Sequence, residues 1–277
     1  MANTQRQAVA LVTGASSGMG KAFARALLAD GMVVYAAARR IEQMTDLAAE
    51  GAITVKMDIT RDDEVIAVAE QIRSAHGAVD FLVNNAGFGL YGAMEDTAIA
   101  DARYQFEVNL FGVARLTQLL LPGMRARRSG RIINISSMGG KVYTPLGSWY
   151  HASKHALEGW SDCLRLELAP FDIDVVIIEP GAIRTEFGDV MVGPMLERSG
   201  NSAYGPMAQA MARVTRSAYE RGDSSPPEVI VDLLRKVVRA RRPSTRYVAG
   251  KYARPMMFIR KWCGDRIFDR IMVSMLR

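Results

Sequence analysis

Short apolar runs alternate along the chain with longer segments of helical spacing. Seven runs, 8–13, 33–37, 53–57, 81–84, 131–135, 174–178 and 246–248, are rich in β-branched residues and mostly apolar at successive positions. A strand exposed on one face alternates apolar with polar, so these runs read as strands covered on both faces. Segments 18–30, 61–75, 100–127, 149–169, 202–221 and 227–240 repeat apolar residues at helical intervals. In 149–169 the recurring set is Ala152, Ala156, Trp160, Cys163 and Leu166. The strand–helix–strand rhythm predicts an α/β fold of βαβ units, a parallel sheet with helices on both faces. Two stretches break the rhythm. Residues 187–225 carry no strand signal, and a basic, Met-rich tail follows Gly250.

The chain has 277 residues, 49% of them apolar and 23% charged, which excludes a disordered chain and predicts one domain, 1–277. No uninterrupted apolar run is long enough for a transmembrane helix, and the first residues show no secretory pattern. Two cysteines, Cys163 and Cys263, are too few for a disulfide framework and fit a reducing compartment, so a cytoplasmic location is expected. Charge is uneven. Residues 1–199 hold 19 Lys/Arg and 23 Asp/Glu, whereas 200–277 hold 16 and 6. The basic residues are spread along helical patterns without a zinc-finger, RNP or basic-zipper pattern, so no nucleic-acid partner is expected.

The first strand runs into Thr13-Gly14-Ala15-Ser16-Ser17-Gly18-Met19-Gly20, and a helical pattern follows. Glycine supplies a tight turn and admits a ligand close to the backbone. The free N–H groups of the helix start, at the positive end of its dipole, suit a pyrophosphate. In dinucleotide sites an acid after the second strand commonly holds the ribose 2′-hydroxyl. Here Arg39 and Arg40 stand there, which suits a 2′-phosphate and favours NADP(H) over NAD(H). The alternative is a pair of surface arginines opening the next helix.

Tyr150 and Lys154 share one helix face at i,i+4 spacing. A fixed cation near a phenol favours the phenolate, so a lowered Tyr150 pKa, suited to acid–base work, is expected. The three histidines, His76, His151 and His155, show no metal-ligand pattern, and no metal is expected.

With these motifs in order, residues 8–186 resemble the short-chain dehydrogenase/reductase family. The matches are 13–20, Asp58, Asn84-Asn85-Ala86-Gly87, Asn109, Ser136-Ser137, Tyr150-x-x-x-Lys154 and Pro180-Gly181-Ala182-Ile183-Arg184-Thr185. Within the family the chain looks like the hydroxysteroid- and retinol-dehydrogenase-like branch. The resemblance implies a Rossmann-type doubly wound seven-stranded parallel sheet in order 3-2-1-4-5-6-7. It implies hydride exchange between nicotinamide, on its B face, and a carbonyl or alcohol carbon. Tyr150 would be the acid or base, Ser137 would hold the substrate oxygen, and Lys154 would hold the nicotinamide ribose. Asn109 would bend its helix and hold a water leading from Lys154. Gly14, Ser16, Ser17, Gly18, Met19 and Gly20 would face the phosphates. Asp58 and Ile59 would meet the adenine, Asn85, Ala86 and Gly87 its ribose. Pro180, Gly181, Ile183 and Thr185 would border the carboxamide. A non-catalytic dinucleotide sensor is the rival reading. The family also implies a homodimer or homotetramer formed through the two long helices.

Ligands sit beyond the carboxyl ends of parallel strands, so 187–225 is expected to cover the substrate. Its Met191, Met195, Met207 and Met211, with Val190, Val192, Leu196 and Tyr204, suit a bulky apolar ketone or alcohol, steroid-, retinoid- or lipid-like; ordinary core packing is the alternative. The tail, 251–277, is expected to pack over this lid or a partner subunit in preference to an anionic membrane surface.

Overall fold

In the computed structural model, which describes residues 6–276, strand β1 (Val9–Thr13) is buried along its whole length. Ala10 and Val12 join one core, Val9 and Leu11 another. The same division runs through β2 (Val33–Ala38), β4 (Phe81–Asn84), β5 (Gly130–Ile135) and β6 (Ile173–Pro180). Each strand is therefore covered twice, as its unbroken apolar run requires. With the shorter β3 (Ile53–Lys56) and β7 (Arg246–Ala249), seven parallel strands form one sheet in the order β3-β2-β1-β4-β5-β6-β7.

Helices α1 (Gly18–Ala29), α2 (Thr45–Ala49) and α9 (Glu228–Arg239) cover the first face, through side chains such as Phe23, Leu47 and Leu234. Helices α3 (Asp62–His76), α5 (Gly112–Arg127) and α6 (Ser148–Leu168) cover the second, through Ile72, Leu116 and Leu164. Strand order reverses between β1 and β4, so the connections after them leave in opposite directions and open a crevice at their carboxyl ends. The candidate site lies there.

The long helix expected over 100–127 is three pieces: α4 (Ile99–Phe106), a single π-helical turn (Glu107–Phe111) and α5. Asn109 sits in the π turn. The strand-free stretch 187–225 holds two helices, α7 (Phe187–Ser199) and α8 (Gly205–Glu220). Sequence periodicity misses α7, which contains Gly193 and Pro194, both poor helix formers. The tail forms α10 (Ala253–Trp262) and α11 (Asp265–Ser274), separated at Gly264, whose φ is +77°.

Candidate active site

Thr13 closes β1 and stitches it to β4. Its hydroxyl oxygen accepts from the Asn85 and Ala86 backbone N–H groups at 3.0 and 2.9 Å, and the Asn85 carboxamide donates to the Thr13 carbonyl at 3.0 Å. Gly14 then turns with φ +68°. A Cβ there would stand 2.9 Å from Ala86 Cα. At Gly20 a Cβ would fall 2.3 Å from the Gly14 carbonyl oxygen and 2.4 Å from Asn85 Nδ2, so α1 reaches the turn only without a side chain. Gly18, at φ +51°, lies against Thr185. Ser17 caps α1 without a side-chain hydrogen bond, and the first turn has no acid, so this helix start keeps its positive end for an anion.

Beyond the turn a recess of about 140 Å³ is lined by Gly14, Ser16, Ser17, Arg39, Arg40, Asp58, Ile59, Ala86 and Gly87. Residues distant in sequence thus meet at one end of the crevice. Arg39 donates to the Tyr104 hydroxyl at 2.9 Å. The Asp58 carboxylate accepts from the Thr60 backbone and hydroxyl at 3.0 and 2.8 Å, which fixes its orientation. Asp58 lines the same recess, and neither arginine forms an ion pair among the described residues.

The other end is a cleft of about 340 Å³. Ser137, Tyr150 and Lys154 line it together, with Met19, Asn85, Gly87, Pro180, Gly181, Ile183 and Thr185. Gly20 and Asn109 lie behind the lining. Asn109, 1% exposed, accepts from the Phe88 N–H and donates to the Phe88 carbonyl and the Ser153 hydroxyl. Ser137 caps a tight turn, its Oγ accepting from the Gly139 N–H at 3.0 Å. Lys154 donates to the Ile135 carbonyl at 3.0 Å.

Electrostatics differ from the sequence expectation. Burial raises the Tyr150 phenol above its ordinary value, and a hydrogen bond with Ser137 only opposes that rise. Burial also lowers Lys154, to about 8, against the attraction of Glu158 one helical turn on. Spacing places phenol and ammonium on one face, but burial, the largest influence on each, sets the direction of both shifts. The phenol is consequently the protonated group at neutral pH, while Lys154 remains mostly charged.

Several residues of the site carry no sequence signal. His151 is buried beside Tyr150. The Thr144 N–H donates to its Nε2 at 3.0 Å, so the ring proton is on Nδ1, which donates to the Gly139 carbonyl at 2.9 Å. Burial lowers its pKa to about 4, and the neutral ring braces the Ser137 turn. Tyr91 packs its ring 5.6 Å from that of Tyr150. Behind the cleft, Glu158 and Glu179 are buried together. Lys141 and Arg246 reach Glu158 at 2.8 and 3.1 Å, and burial and Glu158 push Glu179 up to about 7. Of the covering residues, Met191 and Met211 line the cleft. Met195, Val192, Leu196 and Tyr204 belong to a core between lid and body, and Val190 and Met207 face outward.

The chain is similar to known proteins in sequence and fold. The family model described as short chain dehydrogenase matches residues 8–192. A 3-ketodihydrosphingosine reductase from Bacteroides thetaiotaomicron is 41% identical over 184 residues, 65% of this chain and 66% of that protein. The solved short-chain dehydrogenase from Streptomyces avermitilis is 34% identical with a TM-score of 0.78, over 98% of this chain and 95% of its own. A closed serine dehydrogenase complexed with NADP+ is 26% identical with a TM-score of 0.76, over 87% and 94%. With its Gly-rich turn, its sheet order and two thirds of its length matching, the chain belongs to the short-chain dehydrogenase family and is an NAD(P)-dependent oxidoreductase.

Proposed function

We propose that the chain interconverts a bulky apolar ketone or aldehyde and the corresponding alcohol with NADP(H). The observation that carries this reading is the meeting of Ser137, Tyr150 and Lys154 in one cleft, between a phosphate-binding turn and an apolar wall. The crevice fits a dinucleotide. Gly14 and Gly20 leave no room for a Cβ, the α1 start has no side-chain hydrogen bond at its cap, and Arg39 and Arg40 line the recess beyond. Gly14, Ser16, Ser17, Gly18 and Met19 would hold the pyrophosphate, Arg39 and Arg40 a 2′-phosphate, and Asp58 and Ile59 the adenine. Asn85, Ala86 and Gly87 would lie along the ribose, and Pro180, Gly181, Ile183 and Thr185 along the carboxamide.

When bound, nicotinamide supplies or accepts the hydride. The chain does the rest. Ser137 orients the substrate oxygen. Tyr150, protonated at neutral pH, gives that oxygen its proton in reduction and takes it back in oxidation. Lys154, still mostly charged, offsets negative charge building on the phenol. Asn109 fixes the π turn behind Gly87 and so the depth of the cleft. The wall of Phe88, Tyr91, Met138, Val142, Met191 and Met211 excludes water and favours an apolar chain over a sugar. The likeness to a protein named 3-ketodihydrosphingosine reductase supports a lipid-like ketone. Exposed Phe111 and Leu166, on the π turn and α6, support self-association through these helices.

The test is NADPH oxidation across steroid, retinoid, quinone and aliphatic ketones, with Tyr150→Phe alongside. The variant should bind NADPH as the parent does and lose about 100-fold or more in turnover. Unchanged turnover would refute the role given to Tyr150.

A further inference from the structure

The last two helices have one satisfied side and one open side. Phe268 and Met272 of α11 and Met256 of α10 are buried against Val142, with Met138 and Tyr143 alongside. Arg260 lies 5.2 Å over the Tyr143 ring and pairs with Asp265, and the Tyr143 hydroxyl donates to Asp269 at 2.8 Å. The tail thus packs against the 138–143 turn beside the cleft, and only in part. Phe258 and Trp262, one turn apart on α10, are 61% and 67% exposed, with ring centroids 6.5 Å apart. Ile267, Val273 and Met275 are about half exposed. Five large apolar side chains exposed between residues 258 and 275 call for a partner that removes them from water.

Charge identifies that partner. Residues 251–277 hold seven Lys/Arg against two Asp/Glu, and both acids are engaged within the fold. Arg254, Lys261, Arg266 and Arg270 are exposed, and none of them forms an ion pair among the described residues. The Lys261 ammonium lies 5.0 Å from the Trp262 ring centroid. Aromatic rings interleaved with cations match the boundary between anionic headgroups and acyl chains, where the rings enter and the charges stay at the surface. A second copy of the chain would set the same positive charge against itself, which opposes pairing through this face. Nucleic acid would leave the aliphatic Ile267, Val273 and Met275 without use. No helix among the described residues is long and apolar enough to cross a bilayer, so the contact is with its surface.

We propose that α10 and α11 dock the protein onto an anionic bilayer, lying in its interface beside the cleft. Met138 and Val142 connect the two sites, lining the cleft on one side and packing against the tail on the other. The docking is read without turnover, so it stands or falls separately from the substrate proposed above.

The full chain is sedimented with vesicles of equimolar phosphatidylcholine and phosphatidylglycerol, and with phosphatidylcholine vesicles. It should pellet with the anionic vesicles, release as salt is raised, and stay in solution with the neutral ones. A Phe258→Ser/Trp262→Ser variant should keep the parent's thermal midpoint and bind at least about tenfold more weakly. Tryptophan emission should shift to the blue on binding, and Trp262→Phe should abolish the shift. Equal binding by parent and double variant, or equal binding to both vesicle types, overturns the proposal. So does a parent that sediments as a dimer while the double variant sediments as a monomer, since that assigns the face to a second copy.

Discussion

Asn109 and Ser153, on different helices, share a hydrogen bond of 3.0 Å, and the Ser153 hydroxyl passes it on to the Tyr150 carbonyl at 2.7 Å. The π turn and the helix bearing Tyr150 are joined by this relay. Asn109 also satisfies both backbone groups of Phe88. Asn109→Ala strands those buried groups, which costs about 2 kcal/mol or more. Urea unfolding should show that loss. Turnover should fall further than cofactor binding, because the relay ends at Tyr150.

The two guanidinium groups at the recess make cofactor choice testable. Arg39→Ala/Arg40→Ala removes charge-assisted hydrogen bonds to a 2′-phosphate, each worth about 1.5–3 kcal/mol. NADPH affinity should drop about tenfold to 100-fold, while NADH affinity changes little. Fluorescence titration of both cofactors reads this, and an equal loss for the two would remove the 2′-phosphate role.

His151 ties stability to pH. Its pKa is 6.5 when unfolded and about 4 in the fold, where burial disfavours the charged ring. Between those values the unfolded chain binds the extra proton, so stability is full above about pH 6.5 and declines toward pH 4. The difference in unfolding free energy between the parent and His151→Gln should shrink by on the order of 3 kcal/mol over that window. Glu179, raised by burial and Glu158, has the opposite slope, but it is present in both proteins and cancels in the difference. A pH-independent difference would show that His151 carries no such linkage.

Gly20 is set by packing, not by backbone conformation. An added methyl meets the Gly14 carbonyl oxygen at 2.3 Å, a backbone atom with little room to yield. Gly20→Ala should therefore destabilise by about 1–3 kcal/mol, despite alanine's better helix propensity, and displace the phosphate-binding turn. Unfolding curves and NADPH titration should both register the change.

The fold was legible because its strands are buried on both faces. Runs such as Val9–Thr13 and Ile173–Pro180 admit little but the centre of a covered parallel sheet. Helix α7 was not legible, because Gly193 and Pro194 lower its propensity and packing against α8 supplies what propensity lacks. At the site, Tyr150, Lys154 and the glycines announce themselves by spacing. Tyr91 does not, since its partner Tyr150 is distant in sequence and only folding brings the rings together. The direction of the Tyr150 shift was likewise hidden, because i,i+4 spacing reports proximity and says nothing of desolvation.

Asp223, at the foot of the helices covering the cleft, holds both Lys251 and Tyr252 at the start of the tail. With the Ser225 hydroxyl, which accepts from the Lys251 N–H at 3.0 Å, this carboxylate fastens the roof to the rear wall. A swing of α8 that carried Asp223 outward would break these contacts or draw the start of the tail along, which ties access to the reacting centre to the posture of the C-terminal segment.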